Sequence, residues 1–290
     1  MCIRDRANGM GAECAKTDAL AHEEMLVIAE VSGDKRRPQI RLAAGIDSLD
    51  VELGFAADMT ERTFFGWDDE RDDLTVRIER RLGSLDFGTH GARVEPSTET
   101  TAALVDRIVD TKLKALSWTD AARQYQARVA LIAIHKPEAI EIRLDDRRLQ
   151  QDGHDIFGPF LHGATGRKHI ERIDVLEVLR SQLSWEEQRT VDRLTPTSYT
   201  FPRGRERTID YTAETLKVSV RAQDAFGTSV TPSVIEGAVP IAVELLSPAD
   251  RPIQITSDLA GFWKGSWESV RKDMAGRYPK HDWPKDPSAG

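Results

Sequence analysis

Cysteine is nearly absent. Two thiols, Cys2 and Cys14, in a chain of 290 residues make neither a disulfide framework nor a four-ligand zinc site, and the cytoplasm is the compartment that this usage fits. Long apolar runs are missing as well. Stretches such as residues 129–134 fall far short of the ~20 residues that span a bilayer, so no membrane helix is predicted. Excess positive charge is also lacking. A formal net charge of −8 argues against a broad phosphate-tracking surface, because non-specific nucleic-acid binding depends on Lys and Arg displacing counterions. Any contact with nucleic acid must be local. The first six residues carry no apolar h-region of a secretory signal and no helix or strand pattern, and they read as a truncated or artefactual start.

The motifs of common catalysts are missing too. A P-loop needs the spacing G-x-x-x-x-G-K-[ST] so that backbone amides and a lysine cradle the phosphates. The nearest imitation, Gly163-Ala164-Thr165-Gly166-Arg167-Lys168-His169, places its second glycine two positions early and ends in His where a hydroxyl should bind magnesium. His154, His162 and His169 recur near two helical turns apart beside Asp152 and Asp155, a superficial metal-ligand pattern. Gly153, Gly158, Pro159, Gly163 and Gly166 deny that spacing a continuous helix, so a loop is expected here. Asp145-Asp146 and Glu186-Glu187 read as solvated surface, since adjacent helical residues point apart. No G-x-S-x-G elbow is present.

What remains is an ordinary globular composition, with 40% hydrophobic and 30% charged residues and a mean hydropathy of −0.44. The length suits two or three compact units. The fold class expected is α+β, in three parts. Residues 25–31 and 39–43 read as a hairpin, and residues 62–67 and 74–85 as further strands, with Leu74, Val76 and Ile78 on one face. Short strands joined by polar turns predict an OB-like β-barrel over residues 7–95. After Pro96, Leu104, Val105, Ile108, Val109 and Leu113 form a helical face behind Ser97 or Thr98, and Thr119 opens another helix. A helical section is therefore expected over residues 96–195. Pro196 ends it, and runs at 198–201, 208–211, 216–220 and 241–246 predict a β-rich unit over residues 196–290.

The tail from Gly261 interleaves Phe262, Trp263, Trp267, Tyr278 and Trp283 with Lys264, Arg271, Lys272, Arg277, Lys280 and Lys285. Six cations stand there against four carboxylates. Two readings stand side by side. The aromatics stack on unpaired bases while the cations hold phosphate, or the aromatics pack a terminal helix and leave the cations solvated. Trp263, Lys264, Trp267, Arg271, Lys272, Arg277, Tyr278, Lys280 and Trp283 are the candidate nucleic-acid contacts. Beyond Tyr278, Pro279, Pro284 and Pro287 favour an extended arm that binds a partner or clamps its own domain. Arg203, Arg205 and Arg207 would share one side of a strand, as a phosphate contact or an exposed edge.

Residues 245–263, with Ser247-Pro248-Ala249-Asp250-Arg251-Pro252, and residues 270–287, with Gly276-Arg277-Tyr278-Pro279, resemble the C-terminal signature of the bacterial HrpB helicases. Supporting stretches in the same order are residues 7–12, 26–31, 40–44, 80–83 and 118–122. The resemblance covers nearly the whole chain after the first six residues, which match nothing, and Ala225-Phe226-Gly227 stands where a Met-Phe-Gly type run is expected. Members of that family are DEAH-type, superfamily 2 RNA helicases. Two RecA-like domains hydrolyse ATP and translocate on nucleic acid, and accessory domains including an OB-like barrel follow. The resemblance implies the accessory portion. ATP and magnesium would belong to motor domains outside this sequence, no cofactor is expected in this chain, and no catalytic residue carries over. RNA or other nucleic acid and the motor domains of the same polypeptide are the implied partners, whereas the acidic balance and the proline-rich arm fit the alternative of a protein-binding scaffold without nucleic-acid contact.

Overall fold

The computed structural model describes residues 2–34 and 38–289, and they divide into two compact units. The first comprises the chain up to Leu104 together with His162–His169; the second comprises Val105–Leu161 and the chain from Ile170 onward.

The first unit is built on strands β1 (Cys2–Asp5), β2 (Gly11–Cys14), β3 (Met25–Ser32) and β4 (Gln39–Ile46), a short helix α1 (Ser48–Gly54), and strands β5 (Met59–Asp68), β6 (Asp73–Leu82) and β7 (Leu85–Ala92). The β3–β4 hairpin forms as the alternation predicts, antiparallel from Met25 opposite Ile46 to Ser32 opposite Gln39. Residues 2–5, expected to be patternless, instead pair with β2 in register from Cys2 opposite Cys14 to Asp5 opposite Gly11. The reason is the Asn8-Gly9 turn, where Gly9 takes a φ of +81° and its N–H donates to the Arg6 carbonyl. Such a turn brings two short strands together whatever their composition. The run read as one strand over 74–85 breaks at Gly83, whose φ of +56° turns the chain into β7. A Cβ there would lie 2.1 Å from the Ala7 carbonyl oxygen, so only glycine fits.

Strand pairing gives two sheets, ordered β1-β2-β4-β3 and β5-β6-β7. Among the described residues no ladder joins them, and no closed barrel is seen. Leu74 and Val76 turn into the core from β6 as their alternation requires.

Helix α2 (Thr98–Asp110) starts at Ser97, whose hydroxyl accepts from the Thr100 N–H at 3.0 Å. Leu113, counted by its spacing with this helix, lies beyond it in a left-handed turn with Lys112, and is buried there by the reversal of the chain. The second unit continues with α3 (Asp120–His135), α4 (Asp146–Gln151), α5 (Gly153–Phe157), α6 (Arg167–Glu171, shared with the first unit), α7 (Val175–Ser181) and α8 (Trp185–Leu194). Thr119 caps α3, and Ser184 with Glu187 forms a capping box on α8, which explains one of the acidic pairs. Asp145 caps α4, and Asp146 accepts from Gln126, which explains the other.

The segment 153–161, expected to be a loop, is a short helix followed by a 3-10 turn. Gly153 permits it, because a Cβ there would meet the Val109 side chain at 2.7 Å and hold the two helices apart. A sheet ordered β14-β13-β10-β9-β8 follows, from β8 (Ser198–Thr200), β9 (Glu206–Asp210), β10 (Lys217–Arg221), β13 (Ala242–Leu246) and β14 (Pro252–Thr256). Its β10–β13 pair is parallel and its other pairs antiparallel. Helix α9 (Ala222–Ala225) and the small hairpin β11 (Ser233–Val234) with β12 (Val239–Pro240) connect those parallel strands, and α10 (Leu259–Lys264) and α11 (Trp267–Arg277) end the chain's regular structure. No helix of the described residues is long and apolar enough to cross a membrane.

Candidate nucleic-acid interface

The tail begins where Asp258 caps α10, its carboxylate accepting from the Gly261 N–H at 2.8 Å. That cap sets Phe262 and Trp263 inward, and the Gly265 bend brings Trp267 alongside them. Trp263 and Trp267 meet edge to face at 5.1 Å, with Phe226 at 6.1 and 5.6 Å from them. Trp283 returns from the final segment to lie 6.1 Å from Trp267. Each indole N–H donates to a main-chain carbonyl: Trp263 to Thr228, Trp267 to Pro284 and Trp283 to Tyr278, at 2.9, 2.9 and 3.0 Å. An indole buries well when its single donor is satisfied in this way.

Of the two readings of the aromatics, packing describes this fold. Trp263, Trp267 and Trp283 are buried, with Trp267 only 1% exposed, so their faces are covered by one another and by the chain rather than offered to a base. Tyr278 is half-buried, its hydroxyl 3.5 Å from that of Ser247. The proline-rich segment is a clamp on its own unit. Besides the Trp267 bond to Pro284, the Gly227 N–H donates to the Pro287 carbonyl at 2.8 Å.

The cations face outward. Lys264, Lys272, Arg277 and Lys280 are exposed and Arg271 is half-buried. Lys272 pairs with Glu268 at 2.8 Å and Arg277 with Asp273 at 3.0 Å, both one helical turn apart. The Lys272 ammonium holds the Glu268 carboxyl below its ordinary pKa. Lys264, Arg271 and Lys280 have no ion-pair partner among the described residues. The buried aromatics thus form a rigid base for a set of solvated cations.

Arg203, Arg205 and Arg207 do not share a strand face. The first two lie in the turn between β8 and β9, where Gly204 has a φ of +77°. Arg205 and Arg207 converge on Asp224, and Arg203 sits over the Phe226 ring at 5.2 Å. The histidines do not meet either. His154 pairs with Asp106 at 2.9 Å, His162 and His169 are exposed, and no cluster of metal-ligating residues exists among the described residues.

The glycine segment at 163–169 does not fit a nucleotide phosphate. The backbone N–H of Arg167 is already taken by the Asp73 carboxylate at 2.7 Å, and the Arg167 guanidinium pairs with Asp72 at 2.6 Å. The chain's own carboxylate holds the place where an anion would sit. Sequence reasoning passed over Trp185, the one exposed tryptophan among the described residues, at 68%, with the Arg189 guanidinium 4.6 Å from its ring. Its signal was available as a tryptophan in the first turn of a helix with a cation four residues on.

The family model of the ATP-dependent helicase C-terminal region, HrpB_C, matches residues 156–287, which contain α7, α8, the five-stranded sheet and the tail as far as Pro287. Residues 156–287 are an HrpB-type helicase C-terminal domain. The chain is 33% identical to the ATP-dependent RNA helicase HrpB of Escherichia coli (strain K12) over 285 residues, which cover 97% of this chain and 35% of that protein. The crystal structure of the E. coli DExH-box NTPase HrpB superposes with a TM-score of 0.69 at 32% identity, covering 99% of this chain and 36% of that one. A second crystal structure, of the Escherichia coli DEAH/RHA helicase HrpB, gives 0.61 at 29% identity, with 97% and 36% covered. The chain spans about a third of the length of the HrpB proteins it matches. It has the mixed α/β architecture of their C-terminal region.

Proposed function

We propose that this chain is the accessory region of an HrpB-type ATP-dependent RNA helicase, acting in the cytoplasm, and that it guides RNA at the exit of the motor domains. ATP and magnesium belong to those domains in this reading, and this chain needs no cofactor of its own. The observation that carries the proposal is the set of Lys264, Arg271 and Lys280, without ion pairs among the described residues, on a base of buried tryptophans in an otherwise acidic protein. Lys272, Arg277 and the Tyr278 edge flank that set. Trp263, Trp267 and Trp283 contribute by holding the cations in place. The OB-like reading of residues 7–95 belongs to the same proposal, supported by the short, mostly antiparallel strands of the first unit and by the resemblance to the family.

The test is fluorescence anisotropy of a labelled single-stranded RNA at two salt concentrations, with the intact chain and with Lys264, Arg271, Lys272, Arg277 and Lys280 changed to Ala. Binding that weakens steeply with salt and is lost in the folded variant supports the reading. No binding by the intact chain removes an independent RNA contact. A protein-docking role is the second reading, favoured by Leu49, Leu53 and Phe55, which α1 and its end leave exposed at 60%, 71% and 45%. Binding to a protein through that face would change little with salt.

A further inference from the structure

A cavity of about 320 Å³ opens in the second unit, walled by α3, α7, β9 and the residues around Tyr211. Its size falls in the range of small-molecule sites, whose walls are mostly apolar with a few placed polar groups. Tyr125 from α3 is buried, and its hydroxyl has no hydrogen-bond partner among the described residues. Two guanidinium groups flank its ring, Arg180 at 5.4 Å and Arg128 at 5.7 Å from the centroid. They are not equivalent. Arg128 is buried and neutralised by Asp192 at 2.7 Å, whereas Arg180 is exposed and has no ion-pair partner among the described residues.

The remaining charges around the cavity each have a partner. Glu187, whose charge also reaches Tyr125, accepts from the Ser184 N–H and hydroxyl at the amino end of α8. Asp210 accepts from Gln124 at 2.8 Å and from Thr212. Asp120 stands in the first turn of α3, where the helix amino end compensates a negative charge. The positive charge left over is therefore at Arg180, next to a buried hydroxyl that lacks a partner. Leu176 and Ile209 supply an apolar wall.

We propose that this cavity binds a small organic anion, a phosphate or carboxylate beside Arg180 and Tyr125 carried on an apolar or aromatic body against Leu176 and Ile209. The site shares no residue with the tail and stands independently of the nucleic-acid reading.

Isothermal titration of the chain with phenyl phosphate tests it, with phenol and inorganic phosphate as the two halves of the probe. One phenyl phosphate should bind per chain, more tightly than either half. Arg180→Gln, a surface change that circular dichroism should show to be folded, should weaken binding roughly tenfold, as loss of a charge-assisted contact does. Leu176→Trp should abolish it by filling the cavity. Absence of binding at millimolar phenyl phosphate overturns the proposal. So does binding that Arg180→Gln leaves unchanged, and so does inorganic phosphate binding as tightly as phenyl phosphate, which marks a surface anion contact with no use for the cavity.

Discussion

Asp73 accepts a hydrogen bond from the backbone N–H of Arg167 at 2.7 Å, across 94 residues of sequence. The contact ties the start of α6 to the start of β6 and draws residues 162–169 into the first unit. Gly166 makes the approach feasible, because a Cβ there would lie 2.5 Å from an Asp73 carboxylate oxygen. Gly166→Ala should therefore cost about 1–3 kcal/mol by overpacking, read as a lower urea midpoint. Combining it with Asp73→Ala should recover the steric part, so the two changes should be non-additive. Wild-type stability in the single variant would remove this explanation of the glycine.

Trp267 is the centre of the aromatic base, with ring neighbours Phe226, Phe262, Trp263 and Trp283. Trp267→Ala should cost about 3–5 kcal/mol, the scale of a large buried aromatic. Trp267→Phe should cost less, because it keeps the ring packing and loses the bond to Pro284. Lys264→Ala should leave the denaturation midpoint unchanged. Equal effects of all three changes would show that the tail does not depend on this cluster.

Arg128 and Asp192 form a pair whose members should behave unequally. Their side chains are 4% and 64% exposed, and Arg128 also donates to the Thr195 carbonyl at 2.6 Å. Arg128→Ala strands that buried acceptor and should cost about 2–3 kcal/mol. Asp192→Asn leaves the Thr195 bond in place and keeps an acceptor for the buried guanidinium, so it should cost about 1 kcal/mol. The reverse order, measured by chemical denaturation, would contradict the geometry.

Asp210 supplies an acid-sensitive element. The Thr212 hydroxyl, then the Gln124 amide and the Thr212 and Ala213 backbone N–H groups, hold its carboxyl below the ordinary carboxylate range against the effect of burial. Its folded pKa lies below its unfolded one, so the stabilisation is fully present above about pH 4, the unfolded value. It is lost as pH falls through the folded pKa. Asp250, lowered by Arg221, and Glu236, lowered chiefly by Lys136, act in the same direction. The melting temperature should fall on acidification, and Asp210→Asn should make that acid limb shallower. An unchanged limb would show that Asp210 does not contribute.

Much of the local structure was legible in advance where the signal was local. The β3–β4 hairpin and the Ser97 and Thr119 helix starts follow from alternation and capping over a few residues. Strand β1 was missed because four residues carry too little pattern, although Asn8-Gly9 announced its turn. The division of the first unit's strands into two ladders was not legible, because strand count and turn composition do not specify which edges pair. The tail was legible as a composition of aromatics and cations, but its spacing suited stacking and packing equally.

The sequence by itself determined the β3–β4 hairpin, the capped helix starts and the kinship with HrpB helicases, since these are written in contiguous residues. Only the tertiary structure decided which side chains meet. Trp267 turns to Pro284 rather than to solvent, Asp73 fills the turn at Arg167, and Arg128, Tyr125 and Arg180 converge from two helices. Such meetings depend on the summed burial and hydrogen bonding of a whole unit, in which a tryptophan gains more from covering its ring and satisfying its one donor than from facing water.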